Sequence, residues 1–283
     1  STPTRSNRYA VLVGWAFRRD TSAAYEALGA SDTASIRASG GKWAIDHLWG
    51  NYLLFWIGPD DAVHLLRAPL TGPAIYLCSE PKAEGSEPTL CAFTDLQLAR
   101  TLGFPLDQPD PAALDRELRF PLLRGATTGL CGVREVLPGE VVRLGFPCSR
   151  PAIWSPWDHV PAIPKRAAAA ELRNLVCGVV EAWASRFHHV QLELSGGLDS
   201  SIIAAALSAT ASQWGAVTFH TRDADGDERR YARDVAIQAG AKLEELAADC
   251  DEADPFGPLG ALRARPGGVG LLSELDRKLL AAA

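Results

Sequence analysis

Eight consecutive residues, Leu194-Ser195-Gly196-Gly197-Leu198-Asp199-Ser200-Ser201, constrain this chain more than any other stretch. They stand between an apolar strand-length run at 190–194 and a small-residue helical run at 199–209. Two adjacent glycines let the backbone turn tightly and bring N–H groups close to an anion with no Cβ in the way. Where a helix begins directly afterwards, successive N–H donors form a cradle for phosphate, and Ser195, Ser200 and Ser201 add hydroxyls. Asp199 would repel bare phosphates, but it fits if Mg²⁺ sits between its carboxylate and the phosphate oxygens. The stretch therefore points to a magnesium nucleotide. It is not G-x-x-x-x-G-K-[ST], whose Lys reaches the terminal phosphates, nor the dinucleotide pattern G-x-G-x-x-G. A cradle without that Lys suits a departing pyrophosphate better than transfer of a γ-phosphate.

The surroundings agree with a strand–turn–helix context. Strands are expected at 190–194, 216–221 and 242–246, with helices at 199–209 and 228–239, the second closed by Gly240. Such alternation predicts a parallel sheet with helices on its faces. Before it, Ala168, Leu172, Leu175, Val176, Val179, Val180, Trp183 and Phe187 recur at three- and four-residue spacing, the mark of a long amphipathic helix from Arg166. The first half is β-rich: 9–14, 51–57, 62–67, 74–78, 89–94 and 140–144 are short apolar runs. Turn residues such as Gly58-Pro59-Asp60-Asp61 and Pro138-Gly139 separate them, which argues for packed antiparallel sheets. Helices are expected after Thr94 and Asp110, which can cap them. Pro151, Pro156, Pro161 and Pro164 oppose regular structure, so 151–165 reads as a linker between domains at 1–150 and 166–283. At the end, Ser273 with Asp276 opens a helix that reaches Ala283 without a capping Gly, so the chain reads as cut short there.

Composition narrows the function. Hydrophobic residues at 47% and charged residues at 22% supply ordinary cores. A net charge of −6 with no clustered Lys or Arg argues against a nucleic-acid partner. No run approaches the roughly 20 apolar residues of a membrane span, and the first residues have no apolar signal region, so a cytoplasmic protein is expected. The six cysteines have no metal-ligand spacing and read as buried free thiols in a reducing compartment. There is no Met, even at position 1, so the chain reads as processed or as a segment. Other polar residues read as structural. Asp227 is a helix cap, Asp223 and Asp225 form a solvated loop, and Arg229, Arg230 and Arg233 an exposed helix face. His188 and His189 end the long helix, and Trp154 and Trp157 pack at the domain junction.

S-G-G-L-D-S-S after an apolar strand resembles the pyrophosphate loop of the asparagine synthetase family and its ATP-pyrophosphatase relatives. Downstream, Asp227-Glu228-x-x-Tyr231-Ala232-x-x-Val235-Ala236 is similar to the family's D-E-x-x-Y-A-x-x-V-A helix. Upstream, Gly50-Asn51-Tyr52 resembles G-x-[YF], and 66–76 resembles R-D-x-x-G-x-x-P-L-Y-Y. Ala92-Phe93-Thr94-Asp95-Leu96 stands where the family has F-A-S-E-L, and 132–140 resembles G-I-x-x-[LV]-P-P-G-[HE]. The resemblance implies an α/β and α+β two-domain chain. Its N-terminal part would be a degenerate Ntn-type glutamine amidotransferase-like β-sandwich with helices. Its C-terminal part would be a parallel-sheet ATP-pyrophosphatase domain, adenine nucleotide α-hydrolase-like and incomplete. It further implies that Leu194, Ser195, Gly196, Gly197, Asp199 and Ser200 contact ATP or its pyrophosphate, with Asp199 meeting Mg²⁺ through the phosphates. Thr221 matches a strand-end position whose backbone packs near adenine in the family.

The departures are as informative. Glutamine-dependent members carry an N-terminal nucleophilic Cys, whereas this chain begins Ser1-Thr2-Pro3, its first cysteine is Cys78, and N-G-E-[IL]-Y-N has no counterpart. A hydroxyl of Ser1 or Thr2 is a weaker nucleophile, so glutaminase activity is not expected. Loss of glutaminase beside a kept ATP loop resembles the lasso-peptide macrolactam cyclases, in which the peptide's own N-terminal amine displaces AMP from an activated side-chain carboxylate. That resemblance implies an ATP- and Mg²⁺-dependent, AMP-forming amide ligase acting on a small precursor peptide, with leader-peptide-binding and protease partners. The family's S-G-x-G-G-D-[ED] loop and later catalytic residues would lie beyond Ala283. Alternatives are asparagine synthetase itself, a β-lactam-forming synthetase, a tRNA-modifying relative, and a non-catalytic nucleotide-binding remnant or peptide-binding scaffold.

Overall fold

Alternation of inward and outward side chains builds the first half of the molecule, and helical periodicity enters in the second. The computed structural model describes residues 4–79, 90–145, 149–160, 164–220, 227–247, 262–265 and 278. Contacts group the chain into two units, Ser1–Pro161 with Gly260–Gly267, and Ala162–Leu259 with Gly268–Ala283. The change of unit falls inside the stretch read as a linker. The return of 260–267 to the first unit has no counterpart in the sequence reading.

In chain order the first unit contains β1 (Thr4–Ser6), β2 (Ala10–Arg18), α1 (Ala30–Ser39), α2 (Lys42–His47), β3 (Leu48–Ile57), β4 (Val63–Arg67) and β5 (Tyr76–Ser79). There follow β6 (Leu90–Phe93), α3 (Leu96–Thr101), α4 (Pro111–Arg119), β7 (Val133–Glu135), β8 (Glu140–Arg143), β9 (Ser149–Ala152) and a 3₁₀ turn, Pro156–His159. Two antiparallel sheets result, ordered β1-β2-β3-β4-β8-β9 and β6-β5-β7. The period of two on β3 decides the layering. Tyr52, Leu54 and Trp56 face one way into a core closed by Ile36 of α1 and Ala44 and Ile45 of α2. Leu53 and Phe55 face the other way, packing with Leu65 and Val142 against Leu77 and Val136 beside the small sheet. Beyond the small sheet, Cys78 and Val133 pack on Leu96 and Ala99 of α3, on Phe104, and on Ala264. The unit is thus layered helix, sheet, sheet, helix.

Several local expectations are corrected. The cap of α3 is Asp95 rather than Thr94, because its carboxylate accepts from the amides of Gln97 and Leu98 at 2.8 and 3.3 Å. Asp110 caps α4 as expected, accepting from Ala113 N. Part of the proline-rich stretch is regular, since Pro151 lies in edge strand β9, where a missing N–H is tolerated. Trp154 packs on the first unit's own core and Trp157 is exposed. Of the cysteines, Cys78 is buried and Cys91 half-buried, but Cys131 and Cys177 are exposed. Cys148, Cys250 and the helix expected from Ser273 lie outside the described residues, apart from Lys278.

The second unit begins with α5 (Lys165–Ala184), then β10 (His189–Glu193), α6 (Leu198–Ser208), β11 (Gln213–His220), α7 (Arg229–Ala239) and β12 (Leu243–Ala247). The three strands are parallel in the order β10-β11-β12, as the alternation predicts. Leu194, Ala204 of α6, Ala216 of β11 and Ala232 and Ala236 of α7 form the core, where small residues let helix and sheet approach closely. Gly240 ends α7 in the left-handed region at φ 68°. Helix α5 starts where expected but ends short of Phe187, and its stripe is split: Leu172 and Leu175 are exposed by 62% and 58%, while Ala168, Val176, Val180 and Trp183 are half-buried. It stops at Ala184, so His188 follows a turn and His189 opens β10; neither lies on the helix end. Among the described residues, no helix is long and apolar enough to cross a membrane.

Candidate functional site

Strand β10 delivers the glycine loop to the carboxyl edge of the parallel sheet, where open α/β sheets bind ligands. Leu194 anchors the delivery. Its side chain is fully buried and its amide donates to the Val217 carbonyl at 2.8 Å, so its backbone is what it can offer a ligand. Gly196 then takes φ 79°, a left-handed conformation that a Cβ strongly disfavours. A second constraint acts on the same residue. A Cβ there would come within 2.6 Å of the Tyr231 carbonyl carbon and 2.7 Å of the Ala232 nitrogen, so the loop leans directly on the first turns of α7. Gly197 is the N-cap of α6 in extended conformation and has no side chain to cap with.

The hydroxyls organise the loop from within. Ser195 Oγ accepts from the Gly197 amide at 3.2 Å and lies 3.1 Å from Ser200 Oγ. The Ser201 hydroxyl donates to the Gly197 carbonyl at 2.6 Å, and the Ser201 amide donates to that carbonyl at 3.1 Å. Helix geometry leaves the first amides of α6, on Leu198, Asp199 and Ser200, with no carbonyl four residues back. Three N–H groups and the positive end of an eleven-residue helix therefore face outward beside the Ser195–Ser200 hydroxyl pair. Asp199 is exposed in the same turn. Among the described residues, no group of three or more His, Cys, Asp or Glu side chains could hold a metal.

The structure brings Leu194, Ser195, Gly196, Gly197, Asp199 and Ser200 together in one turn. Thr221 lies outside the described residues, as do Asp223, Asp225, Ser1 and Thr2. Asp227 is not the cap expected of it: Glu228 is the N-cap of α7, and Asp227, one residue earlier, accepts from Arg229 N at 3.1 Å, while the Arg229 guanidinium beside it holds its carboxyl well below the usual range. Arg230 and Arg233 are exposed as expected, whereas Arg229 is half-buried. Arg229 pairs with Asp227, and Arg233 makes a two-pronged bond to Glu245 at 2.5 and 2.7 Å, because β12 lies within reach of α7. Tyr231, whose backbone supports Gly196, is a residue that sequence reasoning passed over as a family signature. The available signal was its place in the first turn of the helix following the next strand. In the first unit, a cavity of about 430 Å³ is lined by Leu77, Asp110, Thr127 and Arg134. Asp110 is occupied as a cap and Arg134 pairs with Glu140, so neither is poised for chemistry.

A family model described as Asparagine synthase matches residues 171–257, a span that contains the loop, α6, β11, α7 and β12. Comparison with curated proteins gives no match.

Proposed function

We propose that the chain carries the pyrophosphate-binding part of an ATP-dependent, AMP-forming amide ligase of asparagine synthase type. The observation that carries this reading is the loop's geometry: a left-handed Gly196 braced on α7, ahead of three outward-facing amides at the carboxyl edge of a parallel sheet. The match of residues 171–257 to the asparagine synthase family supports it. In the reaction, a substrate carboxylate oxygen attacks the α-phosphorus of ATP and pyrophosphate leaves toward the amides of Leu198, Asp199 and Ser200. An amine then attacks the activated acyl carbon and AMP departs. The Ser195 and Ser200 hydroxyls lie side by side, 3.1 Å apart, and each would turn its proton from the contact inside the loop to a departing phosphate oxygen. Exposed Asp199, with ligand oxygens completing the shell, would hold Mg²⁺, which supplies charge neutralisation on the phosphates.

The substrate we propose is a short precursor peptide, cyclised by amide formation between a side-chain carboxylate and its own amine, with leader-peptide-binding and protease partners. What supports this choice is a sequence with no counterpart of the glutamine-binding N-G-E-[IL]-Y-N segment, so the amine comes with the substrate. The test is pyrophosphate–ATP exchange by the chain, with and without an acidic peptide. Peptide-dependent exchange and a product lighter by one water support ring closure. Exchange with aspartate and labelled ammonia, yielding asparagine, would replace the substrate but keep the ligase. ATP binding without exchange under either condition would leave a nucleotide-binding scaffold.

A further inference from the structure

Arg265 is separated by 130 residues from Glu135 and by 148 from Glu117, yet its half-buried side chain reaches both. Its Nε donates to Glu135 Oε2 at 2.7 Å, and its two terminal nitrogens donate to Glu117 and to the Gly125 carbonyl. Three elements of the first unit, α4, β7 and the loop between them, thus converge on one guanidinium. Arg67 completes the array from the other side, reaching Glu135 Oε1 at 2.6 Å. The residue before Arg265 is received as specifically. Ala264 is 3% exposed among Leu96, Phe104 and Val133, and its carbonyl accepts from the Gly129 amide at 2.7 Å. A Cβ on Gly129 would approach that carbonyl to 3.3 Å, so close backbone passage is part of the cleft.

We propose that the first unit contains a docking cleft for a short peptide carrying a small residue followed by arginine, and that residues 262–265 are its resident occupant, an intramolecular strap. The proposal is independent of the ligase reading. Chemistry sets the specificity. The pocket for Ala264 has room for a methyl group, and the acceptors beyond it lie on three separate elements. Only the planar fork of arginine, with five N–H donors, spans such a set; a lysine ammonium is a point donor. Emptying the cleft would take from buried Glu117 the guanidinium it pairs with and leave Glu135 with Arg67, so the cleft is built around an occupant.

The experiment uses the full chain and its Arg265→Ala variant, with amide hydrogen exchange and a labelled acetyl-Leu-Arg-Ala-Arg-Pro amide. In the unmodified chain the Gly129 amide is expected to exchange at least a hundredfold more slowly than that of Gly132, exposed in the same loop. In Arg265→Ala, Gly129 exchange rises at least tenfold and the variant binds the added peptide saturably. The unmodified chain, its cleft filled, does not, and neither does Arg265→Ala with Glu135→Gln added. Fast Gly129 exchange in the unmodified chain overturns the proposal even if the variant fails to fold. So does a folded Arg265→Ala chain that leaves the peptide unbound, or equal binding of the peptide to both chains.

Discussion

Gly196 carries two independent demands, a backbone angle of 79° and the absence of a Cβ against α7. The angle alone costs an L-residue roughly 1–2 kcal/mol, and the contact requires the loop or the helix to move. Gly196→Ala is therefore expected to weaken MgATP binding at least tenfold by calorimetric titration. Gly103→Ala is the matched control. Gly103 also has a positive φ, 91°, but its Cβ would meet open space in the first unit. That variant loses about 1–2 kcal/mol of stability to the angle alone and keeps its nucleotide affinity. A second residue-scale prediction concerns acid. The hydrogen bond from buried His64, 3.0 Å away, holds the Asp60 carboxyl at about 2, below its ordinary 3.8. A depressed carboxyl stabilises the fold above its unfolded value and loses that contribution as pH falls through the folded one. The gap in urea midpoint between the unmodified chain and Asp60→Asn should thus shrink as pH falls from about 4 to 2.

At the scale of elements, the N-terminus of α6 separates binding from folding. Leu198 is the first helical residue, 77% exposed, and follows Gly197 in extended conformation at φ −69° and ψ 170°. Proline is accommodated at such a position and removes one outward amide. Leu198→Pro should keep its melting temperature within a few degrees while losing about tenfold or more in MgATP affinity, since a hydrogen bond to a charged group is worth about 1.5–3 kcal/mol. Elements also show where sequence was readable. The alternation of β3 and the Gly-Gly turn between strand and helix state their structures locally. Helices α1 and α2 do not, because Ala30–Ser39 buries only Thr33 and Ile36 and Lys42–His47 spans six residues. Strand β7 has three residues and β9 includes a proline, so each exists only through its partner strand. The exposure of Leu172 and Leu175 on α5 and the ion pairs of Arg265 depend on what lies alongside in space, which periodicity does not encode.

Across the whole molecule, two units each have a core of their own, so a perturbation aimed at one should be readable there. Trp56, 2% exposed between β3 and the α1–α2 layer, is the largest fully buried side chain of the first unit. Trp56→Ala should cost about 3–5 kcal/mol in that unit's calorimetric unfolding and leave MgATP affinity unchanged. MgATP at a hundred times its Kd should add about 2.7 kcal/mol to the transition of the second unit. The central claim, that the turn from Leu194 to Ser201 grips the diphosphate of a nucleotide, is tested most directly by following backbone amides of the ¹⁵N-labelled chain during titration with MgATP. The account predicts that the amides of Gly196, Leu198, Asp199 and Ser200 shift together, saturably, and that pyrophosphate competes for the same change. Amides that stay still while ATP saturates another part of the chain, or through millimolar MgATP with no binding anywhere, would contradict it.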